Sequence, residues 1–241
     1  MHVLFRESHG LEESDSPRDL GQTPADLVVL SFSDSDLGAF AAGYHRARRM
    51  AGTAPPTLRL ANLSALTHPL SVDTYIERTL CGAKGILIRL IGGQPWWAYG
   101  VEQVSSLARQ KGIALAILPA DGRPDPALDA ASTLPVSTLR RLSGLCEAGG
   151  EIAAQGALAQ LALAAGLYPG PVPGPKSLPA FGFWHPAQGL AAEPGPAGKP
   201  LILLPFYRAW LAAADTHGIA ALIEGFEAAG FRAMGLFLPS L

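Results

Sequence analysis

The sequence has little cysteine, little charge and no excess of basic residues. Its two cysteines, Cys81 and Cys146, lie far apart, without a C-x-x-C motif or a Cys/His spacing typical of a metal site. The 18 Lys and Arg almost balance the 20 Asp and Glu, which disfavours a nucleic-acid-binding protein. Only 16% of the 241 residues are charged, against a usual ~25%. The hydrophobic content of 49% excludes disorder along the whole chain.

Targeting signals are also missing from the sequence. The N-terminus, MHVLFRESHG, carries Arg6, Glu7 and His9 where a secretory signal needs an apolar core. The longest uncharged run, residues 152–175, is interrupted by glutamine, glycine and proline, and it falls short of the ~20 apolar residues of a membrane span. We therefore expect a cytoplasmic protein with no membrane span and no nucleic-acid partner.

Short apolar segments alternate with helical patterns through the first 167 residues. The pattern predicts strands at residues 2–5, 26–31, 57–60, 85–90 and 113–118, and helices at 33–49, 71–81, 96–111, 136–147 and 152–167. Apolar strands that alternate with helices are typical of a buried parallel sheet with helices on both faces. The predicted fold class is therefore α/β, and Ser71 is expected to cap the helix that begins there.

The composition changes after the predicted first domain. Residues 168–200 contain PGPVPGPKSLP and EPGPAGKP, which predict a stiff Pro/Gly-rich linker without a helix or a central strand. A strand at 201–206, a helix at 216–229 and a strand at 231–238 follow. Two strands make a poor sheet alone. We therefore expect an N-terminal α/β domain at 1–167, a linker at 168–200 and the start of a second, truncated α/β domain at 201–241.

The densest polar cluster is THPLSVDTYIERT, at residues 67–79. Asp73 and Glu77 are four residues apart and share one helix face, and His68 lies just before the helix. Two carboxylates and an imidazole could form a metal or acid–base site. The alternative is structural: Ser71 and Asp73 cap the helix, Glu77 is solvated or pairs with a base such as Arg78, and His68 is a loop residue.

A glycine turn followed by tryptophans is the second candidate. Gly92 and Gly93 lie between a predicted strand and a predicted helix, where the turn either packs or holds an anion at the helix start. Trp96 and Trp97 open that helix. They either close the core or line a groove for a flat macrocycle.

One stretch comes near to a nucleotide-binding loop. Residues 170–177 read GPVPGPKS, but the second glycine is one position too early for G-x-x-x-x-G-K-[ST]. Its prolines also remove backbone N–H donors that would hold phosphate. We therefore expect this stretch to be linker. We also expect that the chain holds no cofactor and no metal. The residues alone assign no catalytic group.

Several stretches resemble one family. They are DLGQTPADLVVLSFSDSDL, LRLANLSALTHPLSVDTYIERT, AKGILIRLIGG, LAILPADGRPDPAL, FGFWHP and FYRAWLAAADTHGIAALIEGFEAAG. Their order and spacing are similar to the N-terminal part of the large subunit of aerobic cobaltochelatase (CobN type), a relative of the magnesium chelatase H subunit. The resemblance covers essentially all 241 residues.

The resemblance implies a role in cobalamin biosynthesis. A subunit of this family binds the corrinoid hydrogenobyrinic acid a,c-diamide and receives cobalt as a substrate, while AAA+ motor subunits hydrolyse ATP with Mg2+. The resemblance carries no catalytic residue over, and this segment alone is expected to be inactive. It makes five residues substrate-binding candidates: His68, Asp73, Glu77, Trp96 and Trp97. The alternatives are a magnesium chelatase H subunit fragment and a non-catalytic binding or scaffold module.

Overall fold

The computed structural model describes residues 16–50, 54–172, 174, 177–191, 193–194 and 198–239. The strand predicted at residues 2–5 lies outside these ranges. The described residues form two units, each built around a four-stranded sheet.

The first unit alternates strands and helices as the sequence predicts. Its strands are β1 (Leu27–Ser31), β2 (Leu58–Asn62), β3 (Gly85–Leu90) and β4 (Ala114–Pro119). Its helices are α1 (Asp34–Met50), α2 (Pro69–Arg78), α3 (Ala98–Lys111), α4 (Pro126–Ala131), α5 (Val136–Ala148) and α6 (Gly150–Ala164). The strands are all parallel, in the order β2-β1-β3-β4, which confirms the predicted α/β fold.

Helices cover both faces of this sheet, and three of its four strands are buried. β1, β3 and β4 are buried along their whole length. Successive side chains of a strand point to opposite faces. Val28 and Leu30 thus join a core with α2, α3 and α4, whereas Leu27 and Val29 join one with α1, α5 and α6.

The strand order places a crevice at the end of the sheet where the carboxyl ends of the parallel strands lie. The chain moves from β1 to β2 on one side, and then crosses to β3 on the other side of β1. Ligands of open parallel sheets bind where the order reverses in this way, beyond the carboxyl ends of the strands. Ser31 and Arg89 are register partners at this reversal. A binding site is therefore expected next to them.

The prediction that Ser71 caps α2 is wrong. The helix begins two residues earlier, at Pro69, because proline is favoured at the first helical position. His68 is the cap, and its Nδ1 accepts a hydrogen bond from the N–H of Leu70 at 3.1 Å. Ser71 is buried in the first turn, and its Oγ accepts from the N–H of Arg18 at 2.7 Å.

The second unit is a mixed sheet with the order β6-β5-β8-β7. Its elements are β5 (Gly182–His185), β6 (Gly189–Ala191), β7 (Leu201–Tyr207), α7 (Arg208–Ala212), α8 (His217–Ala228) and β8 (Arg232–Leu238). β7 and β8 are parallel, and β5 lies antiparallel between β6 and β8. The predicted β-α-β pair is thus part of a four-stranded sheet.

The stretch predicted as a linker contains two of these strands. β5 and β6 both lie within residues 168–200, and β5 is an interior strand, so the expectation of no central strand there is wrong. Pro and Gly flank the strands rather than interrupt them. The aromatic side chains of β5 supply the packing: Trp184 contacts Phe206 edge-on, with ring centroids 6.1 Å apart. The domain limits at 167 and 200 stay a prediction.

Helix length is modest throughout the described ranges. The longest helix there, α1, has 17 residues, and none combines the length and the apolarity needed to cross a bilayer.

The close contact between α1 and α6 gives a stability prediction. A Cβ at Gly43 would lie 2.6 Å from the backbone nitrogen of Gln155. Gly43→Ala is therefore expected to destabilise by about 1–3 kcal/mol through overpacking, despite the ~1 kcal/mol that alanine gains in a helix. Gly225→Ala in α8, with open space around it, is the matched control and should stabilise by up to about 1 kcal/mol. Urea unfolding measures both, and equal stabilisation would contradict the α1–α6 packing.

Candidate functional site

The polar cluster predicted on α2 is spread along the helix. His68 precedes α2 and Glu77 lies nine residues later, a separation of about 13 Å along the helix axis. His68 is occupied as the helix cap, and Glu77 is exposed. Asp73 accepts a hydrogen bond from the Tyr99 hydroxyl at 2.8 Å, and this bond raises the pKa of Tyr99. Within the described ranges no three His, Cys, Asp or Glu residues come together in a way that could hold a metal ion.

The cap gives a direct test of the role of His68. His68→Ala is expected to destabilise by about 1 kcal/mol, because the N–H of Leu70 loses its acceptor at the start of α2. His68→Asn should retain the cap and most of the stability, since asparagine is a favoured cap residue. Thermal and urea unfolding measure the difference. Equal stability of His68→Ala and the unmodified chain would show that the cap contributes nothing.

The two predicted tryptophans have different environments. Trp97 is 5% exposed, and its Nε1 donates a hydrogen bond to the carbonyl of Leu66 at 2.8 Å. Trp96 is 71% exposed. Its indole lies over Gly92, where a Cβ would come within 2.1 Å of Nε1. Trp97 therefore belongs to the core, and Trp96 is the tryptophan that a ligand can reach.

Other side chains of the first unit are exposed as well. Tyr99 is 39% exposed and is held to α2 by its bond to Asp73. Leu70, at the start of α2, is 56% exposed. Three of the five candidates thus keep accessible side chains: Asp73 and Glu77 on α2, and Trp96 before α3.

Sequence reasoning missed a buried ion pair at the crevice of the sheet. Arg89 in β3 is 6% exposed, and its Nη1 donates to Oδ1 of Asp36 in α1 at 2.6 Å. The hydroxyl of Ser31, at the end of β1, donates to the other carboxylate oxygen of Asp36 at 2.8 Å. The only sequence signal was an arginine inside the apolar strand GILIRL, since charged residues are seldom fully buried unless paired.

A cavity of about 270 Å³ opens beside this ion pair. It lies between the two units, with walls from the start of α1, the end of α5, the start of α6 and the helix α7. Arg89 and Asp36 form one side, and Arg208 of the second unit forms another. The position matches the binding crevice expected where the strand order reverses.

Cys146 and Glu147 line the same cavity at the end of α5. Burial raises the pKa of the Cys146 thiol to about 11, so the side chain is a neutral thiol at physiological pH. Glu147 accepts a hydrogen bond from the Ser143 hydroxyl at 2.6 Å. The cavity therefore offers polar groups without a reactive thiolate.

A parallel sheet with helices on both faces defines the first unit as an α/β fold, and its cavity lies where ligands of such sheets usually bind. No protein-family model matches the chain. The chain is 35% identical over 258 residues to the aerobic cobaltochelatase subunit CobN of a Sinorhizobium species, and 37% identical over 249 residues to that of Pseudomonas aeruginosa. Both matches cover 100% of this chain, but only 20% and 19% of the relatives.

A solved structure agrees with these relatives at the level of the fold. The catalytic subunit of cobaltochelatase from Mycobacterium tuberculosis is similar with a TM-score of 0.69 and 24% identity, over 89% of this chain and 16% of that one. The resemblance of the sequence to the CobN-type cobaltochelatase subunit is confirmed. The chain spans about a fifth of the length of the curated relatives it matches.

Proposed function

We propose that the chain is a segment of the large, corrinoid-binding subunit of an ATP-dependent cobaltochelatase. The complete subunit inserts Co2+ into hydrogenobyrinic acid a,c-diamide during cobalamin biosynthesis. The observation that carries this proposal is the match along 100% of the chain to two proteins named as cobaltochelatase subunit CobN.

The partners and the compartment follow from the same proposal. AAA+ motor subunits hydrolyse ATP with Mg2+, and the large subunit presents the corrinoid and receives cobalt in the cytoplasm. The N-terminal place of this segment within the subunit belongs to the proposal too. Insertion of magnesium is the second candidate, but both curated relatives carry the name of a cobaltochelatase, which favours cobalt.

The accessible groups of the first unit suggest how the segment contributes. Trp96 lies exposed over the turn at Gly92, and an indole face offers a stacking surface to a flat macrocycle. Asp73 and Glu77 are hydrogen-bond acceptors on α2. These three side chains are the substrate-contact candidates that the geometry leaves available, whereas His68 and Trp97 act in the fold.

A chimeric subunit tests the proposal. This chain would replace the matching segment of the Pseudomonas aeruginosa subunit, and cobalt insertion would be assayed with corrinoid, Co2+, ATP and motor subunits. We expect a rate within about tenfold of the parent, which corresponds to ~1.4 kcal/mol in the barrier. Omission of ATP and replacement of Co2+ by Mg2+ are the controls.

Two results would overturn the proposal. One is a chimera that assembles with the motor subunits but inserts no cobalt. The other is a chimera that inserts magnesium faster than cobalt, which would favour the second candidate. A subunit with the segment deleted establishes the background rate for both comparisons.

A further inference from the structure

The sheet of the second unit has its hydrophobic core on one face. On that face Phe206, Ala233 and Phe237 pack with Ile219 and Ile223 of α8. The core residues occupy alternate positions along β7 and β8, and successive side chains of a strand point to opposite faces. The intervening residues of both strands therefore lie on the face away from α8.

The face away from α8 is closed at its amino half and open at its carboxyl half. At the amino half Met234 is 5% exposed, and Arg232 donates a hydrogen bond to the carbonyl of Pro194. At the carboxyl half Leu203 is 41% exposed and Tyr207 is 43% exposed. The strand registers place six uncharged residues side by side there, as one open face: Phe183, Leu203, Pro205, Tyr207, Leu236 and Leu238.

Large aromatic side chains extend this apolar surface. Trp210 is 45% exposed, and its ring contacts that of Tyr207 edge-on, with centroids 6.4 Å apart. Phe181, directly before β5, is 69% exposed. Single exposed hydrophobic residues are ordinary, but contiguous apolar patches on a protein surface mark interaction sites. The open face and its aromatic border therefore have the character of an interface.

The composition of β7 is that of a strand buried on both sides. A strand with one solvated face alternates apolar and polar residues, whereas β7 reads LILLPFY and has no charged residue. β7 and β8 are parallel, and parallel strands occur almost only in sheets that are covered on both faces. The parallel sheet of the first unit follows this rule, with helices on each face. We therefore expect a helical layer over the open face.

The relatives indicate where this layer comes from. Both match 100% of this chain, but the chain covers only 20% and 19% of their length, so about four-fifths of such a subunit lies outside the segment. That remainder is tethered to the open face, which gives it a high effective concentration there. Permanent contacts are also more hydrophobic than transient ones, which agrees with a face that carries no charge.

We propose that the open face binds the apolar side of a helix from another part of the same subunit, outside the residues of this chain. The contact fixes the second unit to the rest of the subunit. The inference rests on the proposed function, because it takes the chain to be a segment of the longer protein.

Cysteine labelling tests the cover directly. Leu203→Cys would be made in this chain and in the chimeric subunit, and its reaction with a maleimide followed by peptide mass spectrometry. We expect labelling in the chimera to be slower by at least about tenfold, because the covering helix must move away before the thiol reacts. Leu222→Cys is the matched control, since Leu222 is 51% exposed on α8, and it should react at a similar rate in both proteins.

A charge on the open face gives a second measurement. In the chimera, Leu203→Glu places a carboxylate under the covering helix without a partner, which should lower the yield of folded subunit by at least about fivefold. In this chain alone the same side chain is exposed, so the yield of folded protein should be unchanged. Leu222→Glu is the control and should leave the yield of both proteins unchanged.

Three outcomes would overturn the proposal. One is labelling of Leu203→Cys that is as fast in the chimera as in this chain. The second is an equal effect of the substitutions at Leu203 and Leu222 in the chimera. The third is labelling of Leu203→Cys in this chain alone that accelerates on dilution, which would identify a second copy of the chain as the occupant.

Cobalt insertion by the unmodified chimera keeps this inference separate from the proposed function. An active chimera in which Leu203→Cys reacts rapidly contradicts the docking of a helix on the open face but supports the function. An inactive chimera in which the same position is protected contradicts the function but supports the docking.

Discussion

Replacement of Asp36 by asparagine is expected to lower the free energy of unfolding by about 3–5 kcal/mol, a large share of the stability of a typical domain. Arg89 is 6% exposed, and the Asp36 carboxylate is its only carboxylate partner within the described residues. Asparagine keeps the size of the side chain but removes the negative charge. The guanidinium then stays buried without a counter-charge, which is the costly outcome when one partner of a buried pair is removed.

An exposed ion pair is the matched control for this prediction. Asp19 pairs with Arg78, whose side chain is 65% exposed. Asp19→Asn should therefore cost no more than about 1 kcal/mol, because water already screens that pair. Urea unfolding of both variants, followed by circular dichroism, measures the difference. Similar losses in the two variants would show that burial does not set the strength of the Asp36–Arg89 pair.

A double replacement separates the charge effect from the packing effect. Asp36→Leu with Arg89→Met removes both charges and keeps apolar volume in the crevice. Such exchanges of buried ion pairs are often neutral or stabilising, so much of the stability should return. A double variant as unstable as Asp36→Asn would indicate that the shape of the ion pair, rather than the isolated charge, determines the loss.

The strands of the first unit could be predicted because their signal is local. LVVLS, GILIRL and ALAILP are short apolar runs between polar residues, and each forms a buried strand. The parallel direction of the strands also followed from their alternation with helices. The second sheet was harder, because β5 needs β8, more than 40 residues later, to pair with its backbone. Proline and glycine around β5 and β6 concealed two strands that depend on this long-range pairing.

The cavity could not be predicted from residue types. Asp36 and Arg89 are 53 positions apart, and only the fold brings the end of β3 to the start of α1. The polar cluster at residues 67–79 is dense in sequence, yet the helix separates His68 from Glu77. Density along the chain therefore does not gather these residues at one point in the fold. The useful sequence signal was a single arginine in an otherwise apolar strand.

The adjacent tryptophans give the second large effect. Trp97→Ala is expected to destabilise by about 3–5 kcal/mol, because it empties a large buried site in the core of the first unit. Trp97→Phe keeps most of the packing but leaves the carbonyl of Leu66 without its donor, which should cost about 1–3 kcal/mol. Trp96→Ala changes an exposed side chain, so its cost should stay below about 1 kcal/mol. Urea unfolding ranks the three variants.

The same pair of residues separates a role in the fold from a role in substrate contact. If Trp96 is a substrate contact, Trp96→Ala should weaken corrinoid binding by about two- to tenfold with little change in stability. Trp97→Phe should leave the corrinoid affinity of the folded protein unchanged, because its indole faces the core. Fluorescence titration with corrinoid, without denaturant and at a temperature where each variant is folded, measures both affinities. Weaker binding in Trp97→Phe with unchanged binding in Trp96→Ala would remove Trp96 from the substrate surface and place the contact elsewhere on the subunit.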